Sequence, residues 1–499
     1  MSQRLTLPPL ALLICLPLAL ACSEAESNND PNVAGTAGNA GVNGVAGALA
    51  SGGSGSGSGV AGTTSGGNGV GGSNQAGGSA TAGSATGGSA TGGSAMGGSA
   101  TGGSAMGGSA MGGVPNSAGL VEDDGVDCDV GAVPSATVAN SKLPDPFAKS
   151  DGTRIATKSE WRCQRRRLRK TLEAYVYGEK PAKPESVTGT ITNDSITVNV
   201  SQAGKTASFK GTVVLPSAGK APYPVIIGYE SFGTISLDEK LIGAEGVAII
   251  RFDPYALGAE GTGRANKKGA FYTIHPDHSK TGLLIAWAWG VSRFIDVIQA
   301  DGDKLLKTSG IGVTGCSRFG KGSFVAGAFD QRIALGIPFE SGTGGVPILR
   351  GIGKLESSQS LSSAYGEQPW FGDVFQPFVA NPNNLPTDTH ASVALYAPRG
   401  LLILDNPSIA NLGPKAAFVA ASAGAEVYKA LGALDNFSYH SDTANGTHCS
   451  IRTEYAEPLK QAIRKHLLGT GTTAGSITPK AGATTPLTDW VDWQTPTLN

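Results

Sequence analysis

A series of short apolar runs, separated by longer stretches with helical periodicity, restricts this chain more than any other feature. Val225-Ile226-Ile227-Gly228-Tyr229 follows Pro224, and Val247 to Phe252, Ile311 to Thr314, Ala334 to Pro338 and Leu401 to Leu404 repeat the pattern. Each run suits a strand buried on both faces and is too short for a helix. Between them, Leu283 to Ile298 places Trp287, Trp289, Val291, Phe294 and Ile298 on one broad apolar face. Gly322 to Phe329, Pro414 to Leu431 and Tyr455 to Leu468 also read as helices. This alternation predicts an α/β domain with a mostly parallel sheet covered on both faces. Its ligands belong at the carboxyl ends of the strands.

The first quarter of the chain cannot take part. Of 499 residues, 74 are Gly, and many of them fall before residue 115 among Ser, Ala, Thr and Asn, with near-repeats of GGSATGGSAM. Such a segment buries too little apolar surface to offset its ordering entropy. Residues 22–125 therefore read as a tether, a neutral spacer of which about 80 residues would span roughly 50 Å as a random coil. Ahead of it, Arg4, the apolar run Leu5 to Ala21 and the small residues Ala19-Leu20-Ala21 form an export signal over residues 1–21. Cys22 then stands where a bacterial lipoprotein carries its lipid, although Ala19 replaces the usual Leu. Export to the cell surface as a lipoprotein, or simple secretion, is expected. No later apolar run reads as continuous enough to cross a membrane. A net charge of -1 argues against a nucleic-acid partner.

The strongest local signal is Gly315-Cys316-Ser317-Arg318-Phe319-Gly320-Lys321-Gly322, between the run Ile311 to Thr314 and a helix. A Ser in a Gly-flanked strand-to-helix turn is a nucleophile elbow, with its hydroxyl at the sheet edge and helix-start N–H groups beside it. The second Gly comes one residue later than in G-x-S-x-G, and Ser317 as a simple helix cap is the alternative. Gly322 stands where a phosphate-binding loop requires Ser or Thr, so ATP is not expected. A nucleophilic Ser needs a base and an acid to orient it, in the chain order Ser, acid, His. His390 reads as structural ahead of an apolar strand, and His466 as a surface or capping group on the last helix. His440 and His448 share a polar loop. Cys449 favours His448, because a bridge between Cys316 and Cys449 would hold nucleophile and base together. Glu340, in Phe339-Glu340-Ser341-Gly342 after the fourth run, is the candidate acid, with a purely structural carboxylate as the alternative. Six Cys are present, two of them in the signal region, and the other four allow three pairings. No C-x-x-C or His cluster accompanies them, so zinc is not expected.

These residues resemble the glucuronoyl esterases of carbohydrate esterase family 15. The resemblance covers about Cys128 to Asn499 and rests on G-C-S-R-x-G-K-G at 315–322. Other family-like stretches are Leu143-Pro-Asp-Pro-Phe147, Ala286-Trp-Ala-Trp-Gly-Val-Ser-Arg293, Glu340-Ser-Gly-Thr-Gly-Gly345, Gly366-Glu-Gln-Pro-Trp-Phe371, Ala397-Pro-Arg-Gly400 and His448-Cys449. It implies a three-layer α/β-hydrolase at 126–499 that needs no metal or cofactor. It also implies hydrolysis of the ester joining 4-O-methyl-glucuronate on xylan to lignin alcohols. Acetyl or feruloyl release is the alternative activity, and a non-catalytic carbohydrate-binding protein the more distant one. Ser317, Glu340 and His448 take the triad positions, and Arg318 that of the oxyanion hole. Lys321, Gln359 and Glu367 match residues that bind sugar hydroxyls. Where fungal members stack a Trp on the sugar before Leu-Gly-Pro, Asn411 stands here before Leu412-Gly413-Pro414. The resemblance implies the disulfides Cys316–Cys449 and Cys128–Cys163. A monomer is expected.

Two further features have bland readings. The basic run Arg162 to Lys170 reads as a solvated helix face rather than a polyanion site. Trp490 and Trp493 read as packing against the main domain rather than a carbohydrate platform.

Overall fold

The computed structural model describes residues 121–472 and 475–499. The expected signal peptide (1–21), Cys22 and the tether up to residue 120 lie outside the described residues. Ten strands form one sheet among the described residues: β1 (Ser186–Ile191), β2 (Ser195–Gln202), β3 (Lys205–Val214), β4 (Tyr223–Tyr229), β5 (Ala248–Phe252), β6 (Leu306–Cys316), β7 (Leu335–Phe339), β8 (Gly400–Leu404), β9 (Phe437–His440) and β10 (Ser476–Thr478). Their spatial order is β1-β2-β3-β5-β4-β6-β7-β8-β9-β10. From β5 to β10 every pairing is parallel, and β1, β2, β3 and β5 pair antiparallel.

Side-chain alternation along the parallel strands explains the three layers. Val225, Ile227, Tyr229, Leu401 and Ile403 enter one apolar core. Ile226, Leu335, Ile337, Phe339, Leu402 and Leu404 enter a second. The first core lies under α1 (Trp161–Leu172), α2 (Leu283–Asp301), α3 (Arg318–Phe329), α4 (Thr389–Tyr396) and α5 (Pro414–Ala430). Leu459, Ala462 and Ile463 of α6 (Ala456–Ile463) close the second. This is the layered α/β sandwich that the strand–helix alternation predicts, in the α/β-hydrolase form that the family resemblance implies.

The sequence reading missed β1 to β3. β2 and β3 show one buried face only, as Ile196, Val198 and Val200 alternate with exposed or half-buried neighbours, and β1 has no buried residue, so their apolar content is diluted compared with the central strands. Ala203 and Gly204, both at positive φ, make the two-residue turn that joins β2 to β3. The apolar run after His390 is a helix, not a strand: Asp388 caps it by accepting from the Thr389 N–H. His390 is buried and its Nε2 lies 2.8 Å from the Pro144 carbonyl, which fits a structural role.

Several expectations about polar groups are corrected. The tether was expected to reach residue 125, but Glu122, Asp123 and Asp124 already belong to the domain. Glu122 pairs with the buried Lys180 and Arg293, and Asp123 and Asp124 pair with Arg166, Arg169, Arg162 and Arg165 of α1. The basic run is therefore not a solvated face: Arg165 and Arg169 are buried beneath this acidic segment. Helix α2 is in fact long and apolar enough to cross a membrane, but it is buried within the domain and carries the Arg293–Asp296 ion pair. His466 is neither a surface group nor a cap. Its ring fills the space that Gly400 leaves free, where a Cβ would lie 2.5 Å from it, and burial lowers its pKa to about 4. Trp490 is buried, and Trp493 donates to the Leu143 carbonyl and meets Phe147 edge-on, so both pack against the domain.

Candidate active site

Ser317 sits between the end of β6 and the first residue of α3, with φ 58 and ψ -127. A non-glycine residue holds such a conformation only where its surroundings impose it. The Ser317 N–H donates to the Phe339 carbonyl at 3.0 Å. The flanking glycines are steric necessities, since a Cβ on Gly315 would lie 2.4 Å from the Phe319 carbonyl oxygen and one on Gly320 2.5 Å from that of Phe339. The Ser317 side chain makes no capping bond to the helix, contrary to the simple cap reading. Because the helix starts at Arg318, its first N–H groups lack intrahelical acceptors and face the serine's surroundings.

Glu340 follows β7, the strand beside β6, and also has a positive φ of 43°. Its carboxylate is fully buried. One oxygen lies 2.6 Å from His448 Nδ1 and accepts the Cys449 N–H at 2.8 Å. The other accepts from the Tyr455 hydroxyl at 3.5 Å and lies 3.6 Å from Arg452. These donors offset the cost of burying the charge. A carboxylate acceptor selects the imidazole tautomer with its proton on Nδ1, which leaves Nε2 free to take a proton. Cys449, at φ 62, is bonded to Cys316. One covalent bridge therefore ties the residue before Ser317 to the residue after His448. The second pair, Cys128–Cys163, joins the N-terminal segment of the domain to α1. His440 is half-buried with its Nε2 unpartnered, and burial lowers its pKa. Glu340 is paired with His448 instead.

The remaining expected residues form one connected group. Arg318 donates through Nη1 to Glu260 at 2.7 Å and through Nη2 to Glu367 at 3.4 Å. Gln359 donates through Nε2 to Glu367 at 2.7 Å, and its N–H donates to the Asn411 carbonyl at 3.0 Å. Asn411 itself is exposed. Lys321 is buried; it donates to the Ser341 carbonyl at 2.7 Å and lies 4.8 Å from the centre of the Trp370 ring. Burial lowers its pKa to about 7, with Glu367 opposing the shift.

Sequence reasoning gave no site role to six residues around Arg318 and Glu340. Glu260 accepts from Arg318 and from Trp370 Nε1, and Tyr255 donates to it. Arg452 and Tyr455 face Glu340, and Tyr455 donates to the Asp405 carbonyl at 3.2 Å. The carboxyl-end rule would have flagged the Gly-rich loop holding Glu260, since it follows β5, and Asp405, since it follows β8.

Comparison with known proteins places the chain among named enzymes. A family model described as fungal glucuronyl esterase matches residues 198–432. A 4-O-methyl-glucuronoyl methylesterase of Hypocrea jecorina is 36% identical over 365 residues, which cover 72% of this chain and 77% of the relative. A protein of the same name from Schizophyllum commune is 36% identical over 392 residues, 75% of this chain and 95% of the relative. The solved structure of a glucuronoyl esterase from Sporotrichum thermophile, in complex with methyl 4-O-methyl-β-D-glucopyranuronate, superposes with a TM-score of 0.68 at 34% identity, covering 74% of this chain and all of that one. With its α/β-hydrolase fold and its likeness to these relatives over more than two thirds of their length, this chain is a carboxylic ester hydrolase and belongs to the glucuronoyl esterase family.

Proposed function

We propose that the protein cleaves the ester between 4-O-methyl-glucuronate side chains of glucuronoxylan and lignin alcohols, through an acyl-enzyme on Ser317. The observation that carries this is the Glu340–His448 pair, bridged through Cys449 and Cys316 to the strained elbow serine. His448 Nε2 takes the Ser317 proton as Oγ bonds to the ester carbonyl carbon. Glu340 holds the imidazole and stabilises its charged form. The Arg318 N–H and guanidinium offset the oxyanion charge, and the loss of one such donor costs about 3 kcal/mol. As the tetrahedral intermediate collapses, the carbon–alkoxide bond breaks and the alcohol leaves with the proton from His448. Water, deprotonated by the same imidazole, then attacks the acyl-enzyme and releases the uronic acid and free Ser317.

On the sugar side, Gln359, Glu367 and Lys321 bind hydroxyls of the uronate, and the exposed Asn411 takes the place of a stacking ring. The protein acts as an exported monomer, secreted or held at the cell surface through a lipid on Cys22. Acylated Cys22 in the intact mass of membrane fractions supports the anchor, and its absence there removes it.

The decisive experiment compares hydrolysis of benzyl glucuronate with release of acetate from an acetylated xylo-oligosaccharide, using Ser317→Ala as control. Uronate ester cleavage that the substitution abolishes supports the reading. Acetyl release alone overturns the assigned acyl group. Labelling of Ser317→Ala by a fluorophosphonate as strongly as of the unmodified protein overturns the assigned nucleophile.

A further inference from the structure

We infer that Glu260 is a positioning residue for the oxyanion site: it holds the Arg318 guanidinium in its working orientation. This rests on the oxyanion role proposed for Arg318. Arg318 is gripped by two carboxylates of different character. The Glu367 side chain is 37% exposed, makes the longer contact of 3.4 Å and also accepts from Gln359. The Glu260 side chain is only 8% exposed and lies 2.7 Å from Arg318.

Glu260 is itself anchored on both oxygens. Oε2 accepts from Arg318 Nη1 and, at 3.0 Å, from the Tyr255 hydroxyl. Oε1 accepts from Trp370 Nε1 at 2.6 Å. Burial and the neighbouring Glu260 raise the Tyr255 pKa to about 12, so the phenol stays protonated and remains a donor. Trp370 in turn is buried, and its ring centre lies 5.6 Å from the Arg318 guanidinium. One largely buried carboxylate thus links the arginine to the buried Trp370 and to the more exposed Tyr255, whose ring meets Trp287 and Phe319.

The physical need is orientation. A half-exposed arginine has about 2 kcal/mol of rotamer freedom, and a donor stabilises an oxyanion well only if it already points at the site before charge develops. A carboxylate next to a developing negative charge is electrostatically unfavourable by itself. Glu260 therefore helps through geometry, and this separates it from a charge effect. Gln has the same shape, but its single amide oxygen cannot accept from Trp370 on one side and from Arg318 and Tyr255 on the other.

The test is Glu260→Gln, alone and combined with Arg318→Ala, assayed on methyl glucuronate and on p-nitrophenyl acetate, an ester without a sugar. Loss of an oxyanion donor costs about 100- to 1000-fold, so loss of its orientation is expected to lower kcat about 10- to 100-fold. KM for the uronate ester should stay within about threefold, both esters should suffer by the same factor, and Glu260→Gln should cost nothing further once Arg318 is Ala. A raised KM for the sugar ester with p-nitrophenyl acetate unaffected would place Glu260 in the sugar subsite and overturn the inference. So would an equal loss from Glu260→Gln with and without Arg318. If Arg318→Ala alone leaves kcat intact, the oxyanion reading of Arg318 fails first, and the inference fails with it.

Discussion

Cys449 donates its N–H to the same Glu340 oxygen that faces His448 Nδ1, at 2.8 and 2.6 Å, while its side chain is bonded to Cys316 beside Ser317. Glu340 is therefore held by the backbone of the His448 loop, and that loop is fastened to the strand that ends at Cys316.

Glu340→Gln tests the first half of this relationship. With its NH2 in place of the shared oxygen the amide would oppose both the Cys449 N–H and the His448 Nδ1–H, and with its oxygen there it would turn the NH2 toward Arg452; either way the negative charge that stabilises the imidazolium is lost. The expected loss in kcat is about 10⁴-fold, the scale seen when an orienting carboxylate in a serine triad becomes an amide, with KM little changed. Steady-state kinetics on methyl glucuronate measure it. A loss under tenfold would mean that Glu340 does not orient the base.

Replacing both Cys316 and Cys449 by Ala tests the second half. The bridge closes a separation of 133 residues, and removing such a link is expected to lower stability by about 2–5 kcal/mol. Urea unfolding reads this directly. At a temperature where the variant remains folded, kcat should fall more than KM rises, because His448 loses its tether while the sugar-binding side chains keep theirs.

Glu122→Ala should destabilise the domain without touching catalysis. Burial alone would raise the pKa of this carboxyl, but Lys180, Arg293 and Arg332 together hold it well below the ordinary carboxylate range. A depressed carboxyl contributes stability above its unfolded pKa and loses it as the pH falls. Removing it leaves buried cations unpaired, at a cost of about 3–5 kcal/mol. The expected result is a lower urea midpoint at pH 7, a gap between the two proteins that narrows in strong acid, and unchanged kcat/KM while both are folded.

Asp405 has the opposite sign. Burial, with Glu340 nearby, raises its pKa from 3.8 to about 7. Between those values the folded chain keeps a proton that the unfolded chain has lost, so stability falls as the pH rises through that window. Asp405→Asn cannot titrate. Urea midpoints from pH 4.5 to 8 should show the native protein losing ground to the variant as the pH rises. A constant difference would show that Asp405 is ionised throughout.

The central strands and the elbow were legible along the chain because each depends on local composition, whereas four Cys alone allow three pairings and the pair set followed only from the family resemblance. A continuous apolar run has one use, a strand buried on both faces. A serine among glycines, between such a run and a helix, has few alternatives to an elbow. The choice of His448 over His440 was already less local, resting on one neighbouring cysteine and a family resemblance. The half-buried strands β1 to β3 were passed over because alternation with exposed polar residues resembles a loop when no partner strand is in view. What the sequence determined alone was therefore the layered α/β class and the elbow that holds Ser317.

Tertiary structure decided which charges are buried and with whom. The basic helix reads as solvated until Glu122, Asp123 and Asp124 fold back over it. Glu260 reads as one more polar residue in a Gly-rich loop until Trp370, 110 positions away, donates to it. Ion pairs and hydrogen bonds act over a few ångströms and depend on desolvation. Their partners are therefore selected by where the sheet and its covering helices bring the chain together, and no local pattern encodes that meeting.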